Sequence, residues 1–209
     1  MRLRRGADGF TLVELLVAIV ILGIITVPLS NVVIGYFRNT DATTARLIES
    51  HDAQISSAYW AQDVASIGTR STTHPYLLNQ SVSLGSDGWT DPTRFVCGVA
   101  GTPIVRLAWD DFTVDPETKV VTTTLVQVAY VLTTPTELHR LRCNGSAAVV
   151  SDVSLAHYLD KPPAVTCTTP TDCEATTVPT TLTLTLTLTD PTNSNGTYVV
   201  PLTGARRES

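Results

Sequence analysis

Hydrophobic and polar positions divide the chain into three patterns. From Phe10 to Leu29 the run FTLVELLVAIVILGIITVPL is apolar at almost every position, with Glu14 its only charge. At about 1.5 Å of rise per residue, a helix of this length crosses the roughly 30 Å hydrocarbon core of a bilayer. Gly23 and Pro28 fall inside it, and a proline removes one helical hydrogen bond, so a kink or a locally melted turn is expected near Ile24–Pro28. Between Asn31 and Ile67 there is no proline, and a 100° projection gathers Leu47, Ile48, Ile55, Ala58, Tyr59 and Ala65 on one face. Arg46, Glu49, Asp52 and Asp63 fall on the far side, toward which Trp60, Val64 and Ile67 turn, so a domain is expected to wrap the helix end. Gly68 is the stop signal.

Beyond Gly68 the period changes. Thr69–Gly101 carries Pro75, Gly85, Gly88 and Pro92 among many Ser and Thr, an irregular connection with short strand pieces expected at Ser81–Leu84 and Arg94–Val99. Ile104–Trp109, Leu125–Leu132 and Leu138–Cys143 then read as strands, with a turn at Thr133–Thr136 around Pro135. Ser151–Leu159 is expected to be a short helix capped by Ser151, with strand as the alternative. Leu182, Leu184, Leu186 and Leu188 alternate strictly with Thr, and Tyr198–Leu202 follows a polar turn. This is the pattern of strands buried on one face. The expected fold is α+β: one long N-terminal helix, its first half transmembrane, packed on a mostly antiparallel head. The expected segments are a leader at 1–9, a transmembrane and assembly helix at 10–30, an amphipathic spine helix at 31–68 and a β-rich head at 69–209.

Charge narrows the partners. Met1–Gly9 holds Arg2, Arg4 and Arg5 against Asp8, which keeps it cytoplasmic by the positive-inside rule, so the head is exported. The whole chain has a formal charge of −5, and it offers no basic cluster for nucleic acid. Arg140, Arg142, Arg206 and Arg207 are expected to be solvated, as is the acidic group Asp110, Asp111, Asp115 and Glu117.

Glu14 decides the function class. A carboxylate at the centre of a membrane helix costs about 2.5–3.5 kcal/mol, and such residues are functional and paired. If the chain were cut between Gly9 and Phe10, the new α-ammonium would lie one helical turn from Glu14, and it could neutralise that acid within one chain or in the next copy. The word Gly9-Phe10-Thr11-Leu12-Val13-Glu14 with the apolar run behind it resembles the N-terminus of type IV pilins and type II secretion pseudopilins. That resemblance covers about residues 4–30. It implies a prepilin peptidase and methyltransferase acting at Gly9 and Phe10, a methylated Phe10, Glu14 aligning subunits, and a pilin-like head. It also implies other pilin or pseudopilin subunits and a membrane assembly platform as partners, with a single-pass cytoplasmic-membrane precursor passing into a pilus or pseudopilus. The spine wording Gln54-Ile55-Ser56-Ser57-Ala58 with Asp63-Val64 is similar to J-type pseudopilins and W-type minor pilins, which implies a minor subunit priming assembly near the filament tip. A secretory signal fits less well, because the apolar run is long, contains Glu14 and ends without an A-x-A site.

Cysteine and histidine usage agrees with a structural, exported head. Cys97, Cys143, Cys167 and Cys173 allow three pairings, of which Cys167–Cys173 and Cys97–Cys143 are favoured, and disulfides persist outside the cytosol. Zinc would want closer cysteine pairs with histidine nearby. His51, His74, His139 and His157 are scattered, no G-x-S-x-G, H-E-x-x-H or phosphate loop occurs, and nothing ties a particular Ser to a His. No catalysis, cofactor or metal is expected; calcium at Asp190, Asn193 and Asn195 lacks two essential loop oxygens, and a turn fits that stretch better. The competing functions are an adhesive or DNA-binding head carried on a pilin stalk, and a membrane-anchored enzyme. Replacing Glu14 by Leu should leave leader removal intact yet strongly reduce incorporation into filaments. Immunoblots of sheared filaments against whole cells measure both, and normal incorporation would remove the register role.

Overall fold

The computed structural model describes residues 11–85, 96–97, 101–189 and 196–207. The chain divides into two compact units, Met1–Ala45 and Arg46–Ser209. A single helix, α1, runs Leu12–Ser66, and its N-terminal part makes up the described residues of the first unit. There every large apolar side chain from Leu12 to Phe37 is exposed, as expected of a segment whose solvent is lipid or other helices. This is the one helix among the described residues that is long and apolar enough to cross a membrane. Helical structure continues through Gly23 and Pro28, so the expected melted turn does not form. A proline deletes only one bond of the ladder, and here the Thr26 and Ser30 hydroxyls donate back to the Leu22 and Thr26 carbonyls, at 2.6 and 2.8 Å.

The second unit is built on the C-terminal part of α1. Its short strands are β1 (Thr69–Arg70), β2 (Leu78–Asn79) and β3 (Val82–Leu84). The long ones are β4 (Thr102–Val114), β5 (Val121–Thr134), β6 (Glu137–Asn144), β7 (Val149–Ala156), β8 (Leu159–Thr168), β9 (Thr181–Thr189) and β10 (Thr197–Ala205). All strand pairings are antiparallel, in a five-stranded sheet ordered β3-β4-β5-β6-β7, a three-stranded sheet ordered β10-β9-β8 and a two-stranded β1-β2 pair. The α+β class read from the pattern is the observed one.

One core joins the helix to both larger sheets. Trp60 and Val64 of α1, with Ile67 just beyond it, meet Val105, Leu107, Val128, Tyr130 and Leu132 of the five-stranded sheet, and Leu182, Leu184 and Leu186 of β9. The leucine-threonine alternation does what its period demands: Leu182, Leu184, Leu186 and Leu188 are buried, while Thr183 meets Thr203 across the strand pair at 3.2 Å. A second, smaller core lies on the other face of the sheet, where Cys97 packs with Ala129, Val131, Leu141 and Cys143.

Three expectations need correction. Trp60, Val64 and Ile67, just past the helix end, are buried as expected, but the same stripe of α1 also buries Asp52, Ser56 and Asp63, whereas Leu47 and Ala58, placed on the packed face, are exposed. The tryptophan and two aliphatics outweigh two carboxylates once the sheet supplies partners for them. Ser151–Leu159 is not a helix: the strand alternative holds, with β7 at Val149–Ala156 paired antiparallel to β6 from Val149 opposite Cys143 to Ala156 opposite Leu138. Strand β8 was not anticipated, since Pro162 and Pro163 interrupt it. They sit at an irregularity between Lys161 and Ala164 on an outer strand, where proline is tolerated.

Helix and sheet approach most closely at Gly204. A Cβ there would lie 2.6 Å from the Val64 Cβ, so Gly204→Ala should destabilise the fold by about 1–3 kcal/mol through overpacking. Adding Val64→Gly, which removes the Cβ that the new methyl would meet, should recover part of the loss. Denaturant midpoints of the single and double variants check this, and simple additivity of the two losses would show that the contact does not limit the packing.

Candidate functional site

Glu14 stands in the first turn of α1, fully uncovered. Its carboxylate accepts only weak local hydrogen bonds, from the Thr11 backbone N–H at 3.4 Å and the Thr11 hydroxyl at 3.5 Å, while Thr11 Oγ1 accepts from the Glu14 N–H at 3.3 Å. This reciprocal arrangement is a capping box, two orphan groups of a helix start satisfied by each other. No cation reaches Glu14 among the described residues. Gly9 and Phe10 lie outside the described residues, as do Asp190, Asn193 and Asn195.

The cysteines are paired as Cys97–Cys143, with Cα atoms 5.8 Å apart, and Cys167–Cys173, at 5.3 Å. The first ties the loop after β3 to β6, and the second closes a short loop after β8. Gln127 supports the first by accepting from the backbone N–H groups of Val96 and Cys97 at 3.0 and 3.1 Å. Arg106 donates to the Cys97 carbonyl at 2.7 Å and to Gly85 O at 3.2 Å. Burial pushes its guanidinium down to about 10, so it remains charged at neutral pH. Among the described residues no group of three or more His, Cys, Asp or Glu is arranged to hold a metal ion.

Two polar networks inside the second unit escaped the sequence. In the first, Asp63 on α1 is 1 % exposed and Arg140 on β6 is 5 % exposed. Arg140 Nε and Nη2 donate to the two carboxylate oxygens at 2.7 and 2.6 Å, and the Tyr130 hydroxyl adds a third bond at 2.7 Å. The guanidinium also stacks over the Tyr59 ring, 4.6 Å from its centroid. Arg140 is therefore not a solvated charge, which corrects the expectation. Burial works against its charge, but the Asp63 hydrogen bonds and charge outweigh burial and hold the guanidinium above its ordinary value. Burial, followed by the Asp63 charge and hydrogen bond, raises the Tyr130 phenol well above the usual range. The signal that could have found Asp63 is its place beside Val64, between Trp60 and Ile67 on the same stripe.

The second network ties a Ser to a His after all. Asp52 Oδ2 accepts from the His157 backbone N–H at 3.1 Å and lies 2.8 Å from His157 Nδ1, while Ser154 Oγ lies 3.2 Å from His157 Nε2. Beside it is an open cleft of about 510 Å³ lined by Leu47, Ile48, His51, His157 and Tyr158. Ser154 is not among the residues lining this cleft. The arrangement fixes the corner between β7 and β8 against α1, together with the Ser56 hydroxyl, which donates to Leu155 O at 2.7 Å.

Comparison with known proteins adds one finding at the N-terminus. Residues 4–30 match the prokaryotic N-terminal methylation motif. That motif is the prepilin-type signal of type IV pilins and pseudopilins, and the α+β fold behind it is consistent with a pilin. No curated protein and no solved structure matches the chain.

Arg140→Leu alone should cost about 3–5 kcal/mol, because it strands the Asp63 charge in the core. The double change Asp63→Leu with Arg140→Leu should cost clearly less than Arg140→Leu does. Urea unfolding of the full chain in detergent, followed by the combined fluorescence of its three tryptophans, reads this; a double variant as damaged as the single one would refute it.

Proposed function

We propose that the chain is a structural subunit of a type IV pilus-like filament, made as a precursor and converted to a building block at its N-terminus. The observation that carries this is the methylation motif at residues 4–30 leading into a helix whose apolar side chains the chain itself leaves uncovered. A prepilin peptidase cuts between Gly9 and Phe10, and Phe10 is N-methylated. The segment 10–30 holds the subunit in the cytoplasmic membrane with its N-terminus inside and its head exported, and it later packs against other subunits. Glu14 selects register by meeting the Phe10 ammonium of its own chain or a neighbour. The segment 31–68 is the spine of the head, and 69–209 its body. The two disulfides suit an exported domain.

Within that class the spine wording favours a minor pilin or pseudopilin that primes assembly near the tip. A head used for adhesion or DNA capture is the competing function. The chain's net charge of −5 speaks against direct DNA binding, since phosphate contacts need Lys and Arg.

Intact mass measurement of protein recovered from cells tests the core of the proposal. The expected species begins at Phe10, carries one added methyl group and retains both disulfides. A species still starting at Met1, or one clipped beyond Leu29, would overturn it.

A further inference from the structure

The β4–β5 hairpin outruns its own sheet. Strand β6 accompanies β5 only as far as Asn144, opposite Val126, and Gly145 N–H then closes on Leu125 O at 2.8 Å. On the other side β3 pairs with β4 no further than Leu107, and Gly68 bridges to Trp109. From Asp111 to Val114 and from Val121 to Thr124, the two strands pair only with each other among the described residues.

The register of this protruding ribbon sorts its side chains. Phe112 faces Thr123 and Val114 faces Val121 on one side, while Asp111 faces Thr124 and Thr113 faces Thr122 on the other. The first side is apolar and has no second layer among the described residues: Phe112 is 53 %, Val114 54 % and Val121 57 % exposed, and Val120 in the turn is 58 % exposed. A two-stranded ribbon with one uncovered apolar face is marginal in water. Its outer edges also lack the usual protection. Neither stretch contains a proline or a lysine.

The rim of the ribbon is acidic. Asp110, Asp111, Asp115 and Glu117 lie along it with Lys119, and the Asp110 carboxylate accepts from the Arg70 backbone N–H at 2.6 Å. The Asp115 carboxylate is fixed in the turn by the backbone N–H groups of Thr118 and Glu117, at 2.7 and 2.9 Å. A second copy is a poor occupant, because ribbon on ribbon would set these acids against one another.

We propose that the β4–β5 ribbon is a docking strand for a different protein of the same filament, which offers an extended edge rich in β-branched residues and flanked by Lys or Arg. The partner covers Phe112, Val114 and Val121, pairs with a free backbone edge in the manner of strand addition, and places its cations against the acidic rim. This rests on the filament reading above, but its test needs neither processing nor assembly.

Full-length protein in detergent micelles is titrated into a fluorescent synthetic peptide of alternating valine and threonine with lysines at both ends; a peptide with glutamates at both ends is the control. The lysine peptide should bind saturably, weaken as salt is raised, and lose about tenfold in affinity, equivalent to about 1.4 kcal/mol, on Phe112→Ser or Val121→Ser. Both positions are exposed, so circular dichroism and melting of these variants should match the parent. Equal binding of the two peptides, or binding indifferent to Phe112→Ser, would overturn the proposal. Self-association of the full chain that Phe112→Ser abolishes would overturn it too, by naming a second copy as the occupant. If peptide binding fails while mass measurement still shows a methylated Phe10, the docking strand is lost and the filament reading stands.

Discussion

The head is organised by one carboxylate. Asp63 faces the core from the last turns of α1, and it is tolerated there only because Arg140 and Tyr130, from adjacent strands, bring three hydrogen bonds to its two oxygens. A buried ion pair is weak evidence for net stability, since desolvating both charges offsets most of their attraction. Its stronger effect is on uniqueness. The bidentate fork accepts one rotation of the helix and one register of β5 against β6; sliding either by one residue would leave a buried charge unpaired. Trp60 reinforces the same choice, because its indole N–H donates to Leu182 O at 3.2 Å while its ring meets Tyr130 edge-on. The helix is thereby pinned to both larger sheets within a single turn.

How much of this was legible follows from the range of each interaction. The apolar run, the word around Glu14 and the leucine-threonine strand are local patterns, and a local pattern needs no partner to be read. Asp63 and Arg140 are 77 residues apart. Each on its own looks like a surface charge, and only the fold that joins them makes either one internal. The same holds for Asp52 and His157, 105 apart, whose pairing turned a presumed outer face of α1 into the inner one. Strand β8 was hidden for a different reason: Lys161-Pro162-Pro163 reads as a breaker, and only its outer position in the sheet makes that sequence acceptable as strand.

The disulfides belong to this scheme as local reinforcement. Cys97–Cys143 holds Cys97 against the face of the sheet turned away from the helix, where it packs with Ala129, Val131 and Leu141. That face is thus covered near β6 and bare farther out along the β4–β5 ribbon, at Phe112, Val114 and Val121. Among the described residues, coverage stops partway along one continuous sheet face.

The same division runs along α1, and it is sharpest in the contrast between two acids on one helix. Asp63 receives a guanidinium and a phenol from its own chain. Glu14, in a far more apolar setting, receives only the threonine that caps its helix. A sequence able to build a bidentate salt bridge for the first gives the second no more than a helix cap, a role that a neutral glutamine could fill. On the filament proposal, an acid kept in the first turn of an apolar helix, without a folded-chain partner among the described residues, is explained when its cation does not yet exist in the precursor. The α-ammonium released by cutting after Gly9 would be such a cation, positioned one turn away and formed only when the subunit becomes competent to assemble. The chain would then satisfy its internal charges by folding and its terminal one by processing, so that an uncut subunit carries an unpaired charge into the membrane and a cut one does not.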